Sequence, residues 1–291
     1  MSLCLGPRSG PPTASPAPRP SASQSKHVKC PPSAALAPFV EHYWMTRWDR
    51  RGEPSRAAAM LLDPCVHLQI VGGDAQVMGV VRGTFRMCIE DVGCVIGVKF
   101  RPGGFYPFVQ QPVARWTDRT VPANEVFEAT DQSQTAWARD VWDETAACTG
   151  DNSAHAAVIT AHLDAFLGAR VPARDAVAED VADFVALIAT NAAVRRVGDL
   201  VLASGRSERT LHRLFVRYIG VSPAWVIRRY RLHTAAERLT ASPSADVRAV
   251  AWELGYADQA HFIRDFRATI GVTPGAYQER QKRSRDARAL V

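Results

Sequence analysis

Arginine, histidine and glutamine side chains recur along two similar stretches near the C-terminus, and they are the chain's best candidates for chemistry. The stretch Arg213–Pro223 is repeated at 264–274, with six of its positions identical. Arg can donate two parallel hydrogen bonds to guanine, and Gln can pair in the same way with adenine. We therefore predict contacts to the edges of DNA bases from Arg209, His212, Arg213, Gln259, His261 and Arg264. The predicted phosphate contacts are Ser207, Arg217, Asp258 and Arg267.

Each copy of this repeat reads as a helix, a glycine turn and a second helix, which together form a helix-turn-helix unit. Gly205 and Gly255 suit the left-handed ends of the first helices, and Ser207 and Asp258 suit the N-caps of the second. The predicted helices, in chain order, are 197–204, 207–219, a long connecting helix at 223–240, 246–254 and 258–270. The alternative is a plain helical bundle whose charged faces are merely solvated.

The charge of the chain is unevenly distributed. Residues 188–291 hold 18 Lys and Arg against 9 Asp and Glu, whereas residues 30–187 hold 13 against 20. A basic C-terminal third predicts a module that binds a polyanion, unless the imbalance is ordinary variation among surface charges. The apolar runs are too short to cross a bilayer, the N-terminus has no secretory pattern and the six cysteines form no CxxC pair, so we expect a cytoplasmic protein.

The residue composition and hydrophobic pattern change along the chain and predict an α+β protein. Short β-branched runs at 65–71, 76–81, 84–89 and 94–100 alternate with glycine turns, which is typical of consecutive hairpins in a small barrel or sandwich. The predicted segments are a disordered proline-rich tail at 1–32, a β-rich sensor or dimerisation domain at 33–130, a helical linker region at 131–183, an all-α DNA-binding domain with two helix-turn-helix units at 184–282 and a flexible basic tail at 283–291.

The β-rich part offers weaker candidates for binding. Aromatic residues and one arginine suggest an effector pocket, since barrel mouths often hold small ligands. Packing in the core is the commoner role of each aromatic residue, and the arginine could equally tie down its own turn. The pocket candidates are Trp44, His67, Arg101 and Tyr106. Cys65 follows Pro64 and precedes His67, a faint match to an alkyl-accepting nucleophile, but a buried thiol is the simpler interpretation. We expect no metal, no cofactor and no catalytic residue.

The C-terminal hundred residues, from about Phe184 to Arg280, resemble the DNA-binding domain of the AraC family of bacterial transcription regulators. The most specific part runs from Gly255-Tyr-Ala-Asp-Gln259 through His261-Phe262 to Gly271-Val-Thr-Pro274. The resemblance implies two helix-turn-helix units joined by a long helix, each with a recognition helix. Val201 stands where the family usually has Ala, and Gln278 replaces a usual Arg, which puts one phosphate contact in question.

The middle of the chain is similar, more loosely, to a sensor domain found in front of some AraC-type regulators. The matching pieces are His42-Tyr43-Trp44, the run 62–68 and the run 97–104. We expect a sequence-specific transcription regulator that binds double-stranded DNA. Its N-terminal domain would bind a small-molecule effector or form a homodimer, and RNA polymerase would be a partner of an activator. The alternatives are an alkylation sensor that uses Cys65 and an architectural protein that binds DNA without reading bases.

Overall fold

The computed structural model of the chain describes residues 25–127, 133–148 and 151–289. The described part begins with β-strands and ends with helices, as the α+β prediction expects. In order, the strands are β1 (Ser25–Cys30), β2 (Val40–Arg50), β3 (Arg56–Met60), β4 (His67–Val71), β5 (Asp74–Met78), β6 (Phe85–Ile89), β7 (Asp91–Phe100) and β8 (Thr120–Pro122). The described strands form a six-stranded antiparallel sheet, ordered β1-β2-β7-β4-β5-β8, and a two-stranded sheet of β3 and β6.

Strand β7 holds the large sheet together because it pairs with β2 on one side and β4 on the other. Its side chains Val95, Ile96, Val98 and Phe100 are buried. Gly97, opposite Trp44 on β2, has no side chain, and a Cβ there would lie 2.5 Å from the Trp44 ring. The indole therefore packs directly on the backbone of the central strand.

Two expectations about the β-rich part are wrong. Only β4 and β5 form a hairpin of the predicted consecutive kind among the described strands. Strand β6 pairs with β3, and β7 pairs with β2 and β4. The predicted disordered tail also contains β1, which pairs with β2 from Tyr43 to Trp48 and buries Val28 and Cys30. These pairings depend on partners far along the chain, which local composition cannot show. Residues 1–24 of that predicted tail lie outside the described residues.

The helices are α1 (Tyr106–Val109), α2 (Ser133–Ala147), α3 (Asn152–Gly168), α4 (Ala176–Thr190), α5 (Val197–Ser204), α6 (Glu208–Tyr218), α7 (Pro223–Ala241), α8 (Val247–Glu253), α9 (Gln259–Ile270) and α10 (Pro274–Ala289). α2 and α3 pack on the large sheet, where Asp164 of α3 accepts a 2.7 Å hydrogen bond from the Tyr43 hydroxyl. In the described ranges, no helix is long and apolar enough to cross a membrane.

The C-terminal helices differ from the predicted segments at both ends. α4 begins at Ala176, ahead of the predicted boundary at 184, because Asp175 caps it through the backbone N–H groups of Val177 and Ala178. The predicted flexible tail at 283–291 is helical as far as Ala289, since nothing between 275 and 289 breaks α10. The helices of the repeat lie within one or two residues of their predicted bounds.

Candidate DNA interface

The two helix-turn-helix units are α5 with α6 and α8 with α9. Gly205, after α5, and Gly255, after α8, have φ of 65° and 78°. The Ser207 hydroxyl accepts from the backbone N–H of Thr210 at 3.2 Å, and the Asp258 carboxylate accepts from that of His261 at 2.7 Å. The predicted turns and N-caps are therefore confirmed, and they start both second helices at equivalent positions of the repeat.

Each second helix buries one face and exposes the other. Leu211 and Phe215 of α6, like Phe262 and Phe266 of α9, are fully buried. The side chains predicted to face DNA are exposed: Arg209, His212, Arg213 and Arg217 on α6, and Gln259, His261, Arg264 and Arg267 on α9. Both helices therefore present a polar surface, as helix-turn-helix recognition requires.

Most of the exposed arginines on these two helices form no hydrogen bond or ion pair with the rest of the described protein. Within the described ranges, no hydrogen bond or ion pair holds the side chains of Arg209, Arg213, Arg264 or Arg267. His261 is less free, because its Nε2 lies 3.5 Å from the Asp265 carboxylate and its ring meets Tyr256 edge-on. Exposed guanidinium groups without a protein partner can exchange water for phosphate or base edges at little cost.

Arg217 behaves differently from the other arginines of α6. It stands one turn beyond Arg213, and its guanidinium donates to the Tyr106 hydroxyl, with Nε at 2.7 Å. The guanidinium carbon of Arg217 also lies 5.0 Å from the centre of the Tyr106 ring. Tyr106 in turn packs on Tyr218, with ring centres 4.1 Å apart. The C-terminal end of α6 is therefore held by the β-rich part of the chain.

The long helix α7 connects the two units and is itself anchored. Arg229 is almost completely buried and donates to the Leu62 carbonyl from Nε at 2.9 Å and from a terminal nitrogen at 2.6 Å. Burial, which removes water from the guanidinium, lowers its pKa to about 10. Sequence reasoning missed this residue, although its spacing of three from both Val226 and Leu232 places it on the buried stripe of α7.

The two departures from the AraC pattern have structural explanations. Val201 is partly buried and packs against the core that includes Leu200 and Leu211. Gln278 is buried, and its amide nitrogen donates to the Ala245 carbonyl at 2.7 Å. This side chain joins α10 to the loop before α8, so its place is inside the domain.

The structure does not gather the four predicted pocket residues into one cavity. Trp44 packs on Gly97 and meets the buried His67 edge-on, with ring centres 6.3 Å apart. Arg101 is exposed and donates to the Ala37 carbonyl at 2.7 Å, so it ties down its own turn. Tyr106 lies against α6, as described above.

Cys65 has none of the properties of a reactive thiol. It is buried, and loss of hydration raises the pKa of its thiol well above the usual range. Its sulfur lies 3.5 Å from Nε2 of His67, whose own pKa is lowered by burial to about 4. Burial disfavours the thiolate that alkyl transfer requires, and the lowered pKa of His67 makes that ring a weak base for the thiol.

Comparison with known protein families matches two parts of the chain. Residues 28–122 match a domain of unknown function (DUF6597), and residues 200–280 match a helix-turn-helix domain. The second match covers α6, α7, α8 and α9. The first lies within the β-rich part and assigns no ligand to it.

Two curated relatives are similar to part of the chain. The transcriptional activator NphR of Rhodococcus sp. is 36% identical over 87 residues, which is 30% of this chain and 25% of NphR. An uncharacterized HTH-type transcriptional regulator of Haemophilus influenzae is 36% identical over 67 residues, which is 23% of this chain and 22% of that protein. The chain thus spans about a quarter of the length of these relatives. Both relatives are named as regulators of transcription.

Among solved structures, apo ToxT from Vibrio cholerae is similar with a TM-score of 0.41 and 12% identity. The similarity covers 81% of this chain and 96% of that chain.

Proposed function

We propose that this chain, whose C-terminal third is a helix-turn-helix domain of the AraC type, is a sequence-specific transcription regulator that binds double-stranded DNA. The observation that carries the proposal is the duplication itself. Two capped recognition helices expose Arg213 and Arg264 at the same place of the repeat, and neither side chain is used within the described protein.

The proposed role of each residue is based on its position on the two recognition helices. Arg209, His212 and Arg213 read base edges in one major groove, and Gln259, His261 and Arg264 read them in the next. Ser207 and Arg267 lie at the edges of these surfaces and serve the phosphates. Asp258 contributes there only by capping the start of α9, because its carboxylate would repel a phosphate. Arg217 can contact a phosphate only after its guanidinium releases the Tyr106 hydroxyl.

The β-rich part supplies the regulation. A small molecule bound there changes how the two helix-turn-helix units are held, or two copies dimerise through it, and an activator of this kind contacts RNA polymerase. The protein works in the cytoplasm, where bacterial DNA is accessible. The burial of Cys65 and the raised pKa of its thiol count against the alternative of an alkylation sensor.

Selection from random duplexes with the full-length chain tests the proposal. We expect a single enriched motif, bound at least about a thousandfold more tightly than unrelated duplex at physiological salt. Equal affinity for the selected and the unrelated duplex would instead identify an architectural protein that does not read bases.

A further inference from the structure

The two helix-turn-helix units meet along α7, and each has an apolar core of its own. Val226 and Ile227 of α7 pack in the core of the first unit, whereas Leu232 and Ala235, further along the same helix, pack in the core of the second. Among the described residues, no apolar cluster spans both units. Polar contacts that cross from one unit to the other therefore bear on how the two are oriented.

Arg231 stands on α7 at the boundary between these two cores. Its Nε donates to the Leu254 carbonyl at the end of α8 at 2.9 Å, and one terminal nitrogen donates to the Arg195 carbonyl, ahead of α5, at 3.4 Å. Its guanidinium carbon lies 4.0 Å from the centre of the Tyr256 ring. One half-buried side chain thus contacts both the start of the first unit and the turn of the second.

Arg195 makes a second contact from the first unit to the same turn. One of its terminal nitrogens donates to the Glu253 carbonyl at 3.2 Å. Its side chain also lies directly over Gly255, where a Cβ would stand 2.5 Å from Cδ of Arg195. Arginine side chains can satisfy the last carbonyl groups of a helix, and here two guanidinium groups from outside the second unit do so at the end of α8.

The contacts continue from this turn to the recognition helix of the second unit. Tyr256, which lies against Arg231, donates from its hydroxyl to the Asp265 carboxylate of α9 at 3.2 Å. Its ring also meets the ring of His261 edge-on, with centres 5.3 Å apart. A chain of contacts therefore joins the loop before α5 to α9 through Arg231 and Tyr256.

We propose that Arg195 and Arg231 are positioning residues that set the separation of the two recognition helices, and with it the spacing of the two DNA half-sites that the protein accepts. The inference rests on the proposed function and deepens it. One base pair added between the half-sites moves the second groove by about 3.4 Å and turns it by about 34°. Units held by these bonds resist that change, whereas units that have lost them follow it at less cost.

The affinity of the full-length chain for operators with one base pair more or one fewer between the half-sites tests this role. We expect the selected spacing to be preferred at least about tenfold. Arg231→Met, combined with Arg195→Met, should reduce that preference to about threefold or less and leave the preference at single base pairs within each half-site unchanged. Arg231→Lys, which keeps a donor for one carbonyl, should retain part of the spacing preference.

Arg238→Met is the matched control. Arg238 lies on the same helix, and its ion pair with the Glu253 side chain joins α7 to α8. This variant should keep the full preference for the selected spacing. A variant that is merely less stable would lose affinity for every spacing by the same factor, so the ratio separates positioning from stability.

A measurement without DNA separates this inference from the proposed function. Arg213 and Arg264 are exposed at equivalent positions of the repeat, so spin labels attached there through ketone-bearing amino acids report the distance between the recognition helices. We expect a narrow distance distribution for the full-length chain and a broader one when Arg195→Met and Arg231→Met are combined.

Circular dichroism shows whether each variant is folded, and Arg195→Met, at an exposed residue, keeps the test decisive if Arg231→Met is not. The proposal is overturned if the folded double variant keeps the narrow distribution or the spacing preference, or if Arg238→Met relaxes the spacing as much as Arg231→Met does. A selection without an enriched motif would defeat the proposed function, and the distance measurement would still decide whether the two arginines hold the units at a fixed separation.

Discussion

Arg213 and Arg264 are equivalent residues of the repeat, and both are exposed without a partner among the described residues. A bidentate pair between arginine and guanine is worth about 1–3 kcal/mol of discrimination. We therefore expect Arg213→Ala or Arg264→Ala to weaken operator binding by about that amount and to relax the preference at one base step each. Competition with operators substituted at single base pairs measures both effects.

Arg51→Ala is the matched control, because Arg51 is equally exposed but lies in a turn of the β-rich part and pairs with Asp49. It should leave operator affinity unchanged. If Arg213→Ala weakens every duplex by the same factor, that arginine touches phosphate and base readout must come from other side chains.

Arg217 connects α6, the proposed recognition helix, to the β-rich part through the Tyr106 hydroxyl. Tyr106→Phe removes the acceptor at 2.7 Å while keeping the ring that packs on Tyr218. If the released guanidinium reaches a phosphate, the slope of log K against log salt should steepen by about 0.9. Titrations at several salt concentrations measure that slope, and an unchanged slope would show that Arg217 has no phosphate within reach.

At the scale of elements, Gly220 and Gly271 end the two recognition helices at equivalent positions with φ of 99° and 88°. Alanine at either position costs about 1–2 kcal/mol, because its Cβ is disfavoured in the left-handed region. A Cβ at Gly220 would also lie 2.7 Å from the Thr117 hydroxyl oxygen, whereas the nearest atom at Gly271 is 3.6 Å away. Gly220→Ala should therefore lower the free energy of unfolding more than Gly271→Ala does. Equal losses in denaturant titrations would contradict the tight contact between Thr117 and Gly220.

The helices could be predicted closely from the sequence because their signals are local. Ser207, Asp258 and the glycines that follow α5 and α8 mark starts and ends within a few residues of the elements that they bound. The strand order could not be predicted, because β7 pairs with β2 and β4 across long stretches of chain. The contacts of Arg195 and Arg231 at the end of α8 were missed for the same reason, since only packing brings these side chains together.

At the scale of the molecule, the β-rich part contacts both helix-turn-helix units near the ends of their recognition helices. The Thr117 hydroxyl donates to the Gly220 carbonyl at 2.7 Å, and the Thr84 hydroxyl donates to the Thr269 carbonyl at 2.6 Å. The core of the first unit is continuous with that of the β-rich part, whereas the second unit has a core of its own. Each unit is therefore joined directly to the β-rich part.

Arg229 is the buried anchor of this arrangement. Arg229→Met leaves the Leu62 carbonyl without its donor, which costs about 1–3 kcal/mol. We expect a lower thermal midpoint for the full chain, whereas Arg228→Met, at the exposed neighbour, should have little effect. Equal midpoints for the two variants would show that the anchor contributes nothing to stability.

Footprinting of the full-length chain on its selected operator shows how many major grooves one copy of the protein occupies. α7 has 19 residues and is therefore about 28 Å long, and it holds two recognition helices in one chain. We expect protection of two successive major grooves on one face of the duplex, centred about 34 Å apart, by a single copy of the protein. Protection of one groove per copy, or binding only as a dimer to a palindrome, would contradict it.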